Sequence, residues 1–515
     1  MYEAETIWKK HFVIIYYVLF FLVFFLFFTI VHPLYIFDSD DWGNMGLMRS
    51  VFPRINSFNP IKVFPEVLFT FISFLSARIV YPLTGDYISS LCFVYALFYS
   101  FVILCNAMCI HWFLKYVYSN FKTVNSKDES LVILCLITIF FLCLFYFGRN
   151  GDYLLHEVNV TCIFHYSIPA ILNFSVVLLL ISFEKKNKQI FCFESTYKNV
   201  LFGVILYLCI FSNLFISSVL LSYVVFYLLK RIYFLFSLKS YNRAKKIYGK
   251  LILQNYQYFL VMFIWCLSAY FESTGGRAKI GINNHFSIQE IFKSVSFFFN
   301  DVLYFVSFGK ISFVGIIIFV SANLHLLYVF FKKKISTIDK KYLFIQLTFC
   351  WFVSFIVLYF LLLSVKTGVS YQIRSSLVYC WFVWIILELI CSFIYLSIIV
   401  PKLNSFVPVL IIVLLYRVCI HNSVLIETNL VPKSNINSVK VFGNDLIKNI
   451  EAADRSGLSE IKLYVPKFDS SDNFPFAVYS GISLANSMYL QGITKRLLSI
   501  EIVPDEKINV LYSIK

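Results

Sequence analysis

From Phe12 onward the chain is filled by run after run of about twenty apolar residues, the length a helix needs to cross the hydrocarbon core of a bilayer. Few charges interrupt these runs. Only 14% of the residues are charged, against about 25% in an average soluble protein, so a water-soluble chain of this size would be unable to cover itself. The pattern predicts an all-α polytopic membrane protein. Lys9 and Lys10 precede the first run, Phe12 to Val31, and the positive-inside rule places that end in the cytoplasm. The run exceeds the roughly 7–15 apolar residues of a cleavable signal and no small-residue cleavage site follows it, so it reads as a span.

Basic clusters order the rest. A long first outer loop, 32–87, carries Asp38, Asp40 and Asp41, then a shorter apolar piece, Val63 to Val80. Pro65, Glu66 and Arg78 interrupt that piece, which predicts an interfacial or re-entrant helix. Spans follow at Ile88–Val117, Leu131–Phe147 and Phe164–Phe183, the last with Pro169 in its first turn or at a tolerated kink. Val200 to Leu229 is basic on both flanks, so it is read as a hairpin of two short spans turning near Ser212-Asn213. Leu251–Phe271, Val302–Phe331, Phe344–Val365, Leu377–Val400 and Phe406–Ile426 complete about eleven spans and leave the C-terminus outside.

At Glu427 the composition becomes that of a soluble module. Leu446, Ile447, Ile450 and Ala453 have helical spacing, and Gly457 is placed to cap that helix. Ile461, Leu463 and Val465 alternate, as do Leu498, Ile500 and Ile502, which predicts two strands, and Ile482 to Leu490 suits a second helix. The predicted architecture is a transmembrane domain over 1–426 and a small extracytoplasmic α/β domain over 427–515.

The formal charge of +16 raises the question of nucleic acid. From Glu427 onward, however, ten Lys/Arg balance ten Asp/Glu, so the excess belongs to the short loops between spans. Of the thirteen cysteines nearly all lie inside apolar runs and none follows Cys419, so no disulfide framework is expected in the tail. Cys105 and Cys109 share a helix face but read as packed or lipid-facing thiols, and no His/Cys spacing, phosphate loop or dinucleotide motif is present.

Charged groups at a bilayer edge are costly to place, and Asp38, Asp40 and Asp41 sit a few residues beyond the first span. A carboxylate there can take the proton of an attacking hydroxyl. The predicted topology brings Glu66, Arg149, Arg277, Lys279, Lys366 and Arg374 to the same side, where cations can hold a lipid-linked phosphate as it leaves. Each has a plainer reading: an outer arginine anchors headgroups, and Trp42, Tyr81 and Tyr87 suit an interfacial belt as well as a sugar platform. Glu388, inside a span, reads as a packing or pathway residue, and His156 and His165 as structural.

An acidic pair just after the first span resembles the signature of the GT-C superfamily of polyprenyl-phosphate-sugar-dependent glycosyltransferases. More narrowly, Asp40-Asp41-Trp42-Gly43 with Phe58-Asn59-Pro60 and Phe64-Pro65-Glu66 is similar to bacterial serotype-converting O-antigen glucosyltransferases. So are Phe442-Gly443-Asn444-Asp445, Tyr464-Val465-Pro466 and Asp472-Asn473-Phe474-Pro475 in the tail. The resemblance implies a base at Asp40 or Asp41, with Asp38 the third candidate, and Trp42, Glu66, Arg149, Arg277, Lys366 and Arg374 around donor and acceptor. It implies undecaprenyl-phosphate-glucose as donor, lipid-linked O-antigen as acceptor, inversion at the anomeric carbon, and an inner-membrane location facing the periplasm. A donor synthase and a flippase are the implied partners. Two adjacent carboxylates can also bind a divalent cation, although no oxygen-rich cage is evident.

The rival readings are a transporter or flippase of lipid-linked saccharides, which calls for ionisable residues at the midplane of several spans, and a polymerase or ligase, which calls for large later outer loops. Inside the spans stand mainly Glu388 and Arg417, and the longest outer loop before the tail is the first. Asp40→Asn and Asp41→Asn, taken as surface changes, are expected to abolish transfer and cost no more than about 0.5 kcal/mol of stability.

Overall fold

The computed structural model describes residues 2–36, 39–45, 63–121, 129–147, 155, 159–184, 190, 195–237, 244–274, 309–331, 370–420, 436–468 and 478–514, with single positions at 289, 292, 296, 343, 345, 347 and 348. Among the described residues the chain is mostly helical, with one two-stranded sheet. Among the described residues, five helices are long and apolar enough to cross a membrane: His11–Val31, Tyr87–Phe121, Val160–Glu184, Leu214–Tyr233 and Pro401–Cys419. Five further apolar helices are shorter, including Glu129–Phe145 and Val383–Ile399. Most of the predicted span Phe344–Val365 lies outside the described residues. The predicted break in Val200–Leu229 falls where expected, between helices Thr196–Ile210 and Leu214–Ser237. Ser212 and Asn213 take up the broken ends: Ser212 Oγ donates to the Cys209 carbonyl and Asn213 Oδ1 accepts from Phe215 N.

Pro169 falls in the first turn of helix Ile168–Glu184, just after a π turn. The helix from Val160 widens into a π turn over Ile163–Ser167 before resuming at Ile168. Proline has no N–H to give the preceding turn, and a π turn is one way a helix absorbs such a gap. Similar π turns occupy Phe27–Val31 and Ser76–Val80.

The described chain forms two compact units. The first comprises Met1–Tyr16, Cys105–Leu155 and Pro169–Ile420. Its core is aromatic: Phe174 stacks on Phe140 and meets Trp384 edge-on at 4.9 Å. Buried Glu388 accepts a 2.7 Å hydrogen bond from Thr348 Oγ1, while Arg417 stands exposed on helix Val407–Ile420.

The second unit comprises Tyr17–Leu104, His156–Ile168 and His421–Lys515. The compositional boundary at 426/427 marks the end of the apolar runs, whereas this unit takes the tail together with the first-loop segments. Within the tail, helix Ile436–Arg455 buries Leu446, Ile447, Ile450 and Ala453 at the spacing read from the sequence, together with Phe442, and Gly457 follows it at φ +84°. Strands β1 (Glu460–Val465) and β2 (Ser499–Pro504) pair in parallel, with Leu463 opposite Ile502. Parallel pairing demands a crossover, supplied by helix Gly481–Gln491. Gly481 is where that helix crosses β2: a Cβ there would collide with the Ile500 carbonyl. Gly481→Ala is therefore expected to destabilise the tail by about 2 kcal/mol, read as faster proteolysis of 436–514.

Candidate functional site

The acidic stretch forms a helix, Ser39–Met45. Seven residues are too few to hold a helix in water unaided, so the neighbours must do it. Asp41 is fully buried, and its Oδ1 accepts from both the backbone N and the Oγ1 of Thr161, at 2.8 and 2.7 Å. Thr161 lies in the first turn of the helix starting at Val160, whose leading N–H groups have no partner within the helix. Asn159 caps the same turn by accepting from Cys162 N. The carboxylate of Asp41 thus meets a helix start, where aligned N–H groups and the helix dipole favour a negative charge.

Three other elements grip the acidic helix. Ser487 Oγ, on helix Gly481–Gln491, donates to the Trp42 carbonyl at 2.6 Å. Thr70 Oγ1, on helix Val63–Leu75, donates to the Asn44 carbonyl at 2.9 Å. Met45 lies against the hydroxyls of Tyr87 and Tyr95 on helix Tyr87–Phe121. Tyr87 donates to Gln491 Oε1 at 2.6 Å, and Tyr95 shares a 2.6 Å hydrogen bond with Ser73. Near them Phe69, Tyr95, Phe98 and Phe164 form an aromatic cluster, with Phe69 and Phe164 stacked at 4.9 Å.

The tail motif is explained residue by residue. Phe442 packs edge-on against Tyr512, and Gly443 lies so close to Ile88 that a Cβ would press on it at 3.2 Å. Asn444 accepts from Ile88 N with its oxygen and donates to Asp86 with its amide, so it caps the start of helix Tyr87–Phe121. Asp445 accepts from the Tyr512 hydroxyl. Burial raises the Asp86 pKa, but hydrogen bonds from Ser89 and Asn444 and the Lys440 ammonium at 3.2 Å more than offset it, leaving the carboxyl below its ordinary value. A lowered folded-state pKa stabilises docking above the unfolded value, near 3.9, and that contribution fades as the pH falls through the folded one. Protection of the Ile88 amide, relative to its intrinsic exchange rate at each pH, should therefore hold from pH 7 to about pH 5 and fall below pH 4, and Asp86→Asn should flatten that acid limb.

No protein-family model, curated protein or solved structure matches the chain. The geometry is thus the ground for any functional statement.

Two expectations change with it. Asp41 is not a surface carboxylate, so its substitution cannot be treated as a surface change. Trp42 is 0% exposed and offers no open face to a sugar or a headgroup; its ring belongs to the core of the unit. Tyr87 is buried as well, while Tyr81 donates to Glu451 at 2.6 Å. His165 is part-buried, with Nδ1 at 3.1 Å from the Thr161 carbonyl. Backbone alone places Asp40 in the acidic helix, Glu66 in helix Val63–Leu75 and Arg374 in helix Ser370–Ile399. Asp38, Arg149, Arg277, Lys279, Lys366 and His156 lie outside the described residues. Among the described residues, no three His, Cys, Asp or Glu side chains gather as a metal cage requires.

Thr161, Ser487 and Gln491 did not stand out in the sequence, while Asn444 stood in the Phe442-Gly443-Asn444-Asp445 motif, which gave no hint of its partners Ile88 and Asp86. Only Thr161 had a local signal, because Asn159-Val160-Thr161 reads as a helix start before an apolar run.

Proposed function

We propose that this protein is an integral-membrane glycosyltransferase. It moves a sugar, glucose, from undecaprenyl phosphate to lipid-linked O-antigen on the periplasmic face of the bacterial inner membrane. The observation that carries the reading is the acidic helix, held by buried hydrogen bonds just beyond the first membrane-length helix. A carboxylate on a firmly held element beside a bilayer suits proton abstraction, which depends on placement before it depends on pKa. We assign the base to Asp40, because the Oδ1 of Asp41 is committed to Thr161 and its side chain is enclosed.

In this reading the acceptor hydroxyl oxygen attacks the anomeric carbon as Asp40 takes its proton. The bond from that carbon to the phosphate oxygen breaks, and undecaprenyl phosphate leaves carrying the electron pair, with inversion. Arg149, Arg277, Lys366 and Arg374 are the cations proposed to meet the phosphate, and Glu66 lies with the acceptor. The architecture is GT-C-like, with about eleven spans, a cytoplasmic N-terminus and a periplasmic α/β tail. A donor synthase and a flippase supply the lipid-linked sugar.

Buried Glu388, in the helix Ser370–Ile399, favours a second reading, a transporter of lipid-linked saccharides. One experiment separates the two. Membranes carrying the protein receive polyprenyl-phosphate-glucose and lipid-linked O-antigen, and both sugar transfer and movement between leaflets are followed. Transfer that Asp40→Asn abolishes supports the enzyme; movement without transfer to any acceptor overturns it.

A further inference from the structure

The four-sided grip on the acidic helix is uneven in origin, because one side comes from the far end of the chain. Ser487 Oγ reaches the Trp42 carbonyl at 2.6 Å, a buried contact between residues 445 positions apart. A second strut stands one turn further along the same tail helix. Gln491 accepts from the Tyr87 hydroxyl, and that hydroxyl faces Met45 at the other end of the acidic helix. The tail helix is itself fixed, with Gly481 pressed to β2 and Gly492 at φ +71° ending it against the Arg78 guanidinium. Trp42 directly follows Asp41, so a bond that holds its carbonyl holds the short stretch of backbone that bears Asp40 and Asp41.

We infer that the tail helix Gly481–Gln491 positions the acidic helix, with Ser487 as the positioning residue for Asp40 and Asp41. The tail then serves the carboxylates directly, by fixing the backbone that bears them. The inference rests on the glycosyltransferase reading for its effect on rate, while its effect on the acidic helix stands apart from that reading.

The test compares the full-length protein with Ser487→Ala and Ser487→Thr in membranes, by transfer kinetics and by hydrogen exchange over residues 39–45 and 481–491. Ser487→Ala is expected to speed exchange in 39–45 about tenfold while 481–491 stays protected, since one buried hydrogen bond is lost and the tail core is untouched. The turnover number should fall at least tenfold with donor KM unchanged, because a small misplacement of a reacting group costs rate out of proportion to binding. Ser487→Thr, which keeps the hydroxyl, should restore both. Unchanged exchange over 39–45 in Ser487→Ala overturns the positioning role, as does loss of rate that Ser487→Thr fails to restore. Absence of transfer in the unaltered protein removes the enzyme reading alone, and the exchange pattern still decides whether Ser487 holds the helix.

Discussion

Asp40→Asn is expected to lower sugar transfer by about 10² to 10⁴-fold, the range general-base catalysis contributes. Asparagine keeps the size and much of the helix compatibility of aspartate but has no basic oxygen to accept the proton of the acceptor hydroxyl. Its hydrogen exchange over 39–45 should match the unaltered protein, because the described contacts that hold the helix run through Asp41, Trp42, Asn44 and Met45. Transfer assays on membranes at matched protein levels read the effect. Transfer within a factor of a few of the unaltered protein would move the base elsewhere, and Asp41 would be tested next.

Asp41→Ala is expected to have the largest effect on stability. It strips a buried acceptor from two donors at once, the N–H and the hydroxyl of Thr161. Hydrogen bonds to a charged group are worth about 1.5–3 kcal/mol each, and donors left unsatisfied in a buried site add a desolvation penalty. A loss of about 3 kcal/mol or more is the expected outcome, measured as thermal unfolding of the detergent-solubilised protein. Asp41→Asn keeps an acceptor oxygen and should lose much less. Thr161→Val removes one of the two donors, and a double-mutant cycle with Asp41→Ala should show coupling, since the two side chains share that bond. A stable Asp41→Ala variant would mean that the pair does not hold the acidic helix.

Local pattern carried a good part of the fold. The break at Ser212-Asn213, the helix face from Leu446 to Ala453, the turn at Gly457 and both tail strands follow from residue spacing and turn chemistry, and they stand where that spacing put them. The acidic residues also drew notice, because carboxylates near a membrane are expensive. What their neighbours are was not legible. Thr161 is 120 positions from Asp41, and Asn444 is 356 from Ile88. A serine at 487 looks like any polar residue until its partner is known, a motif around Asn444 does not name Ile88, and no periodicity connects positions that far apart. The burial of Trp42 was hidden for the same reason: an aromatic after a span suits an interface equally well, and only tertiary contacts decide.

That separation has a consequence for the order of events as the chain is made. Synthesis runs from the N-terminus at about 5–20 residues per second, so tens of seconds pass between the appearance of Trp42 and that of Ser487. Over that interval the carboxylates already exist, yet the strut that would settle their helix does not. In the proposed enzyme, transfer would begin only once the tail helix Gly481–Gln491 has been made and has met the Trp42 carbonyl.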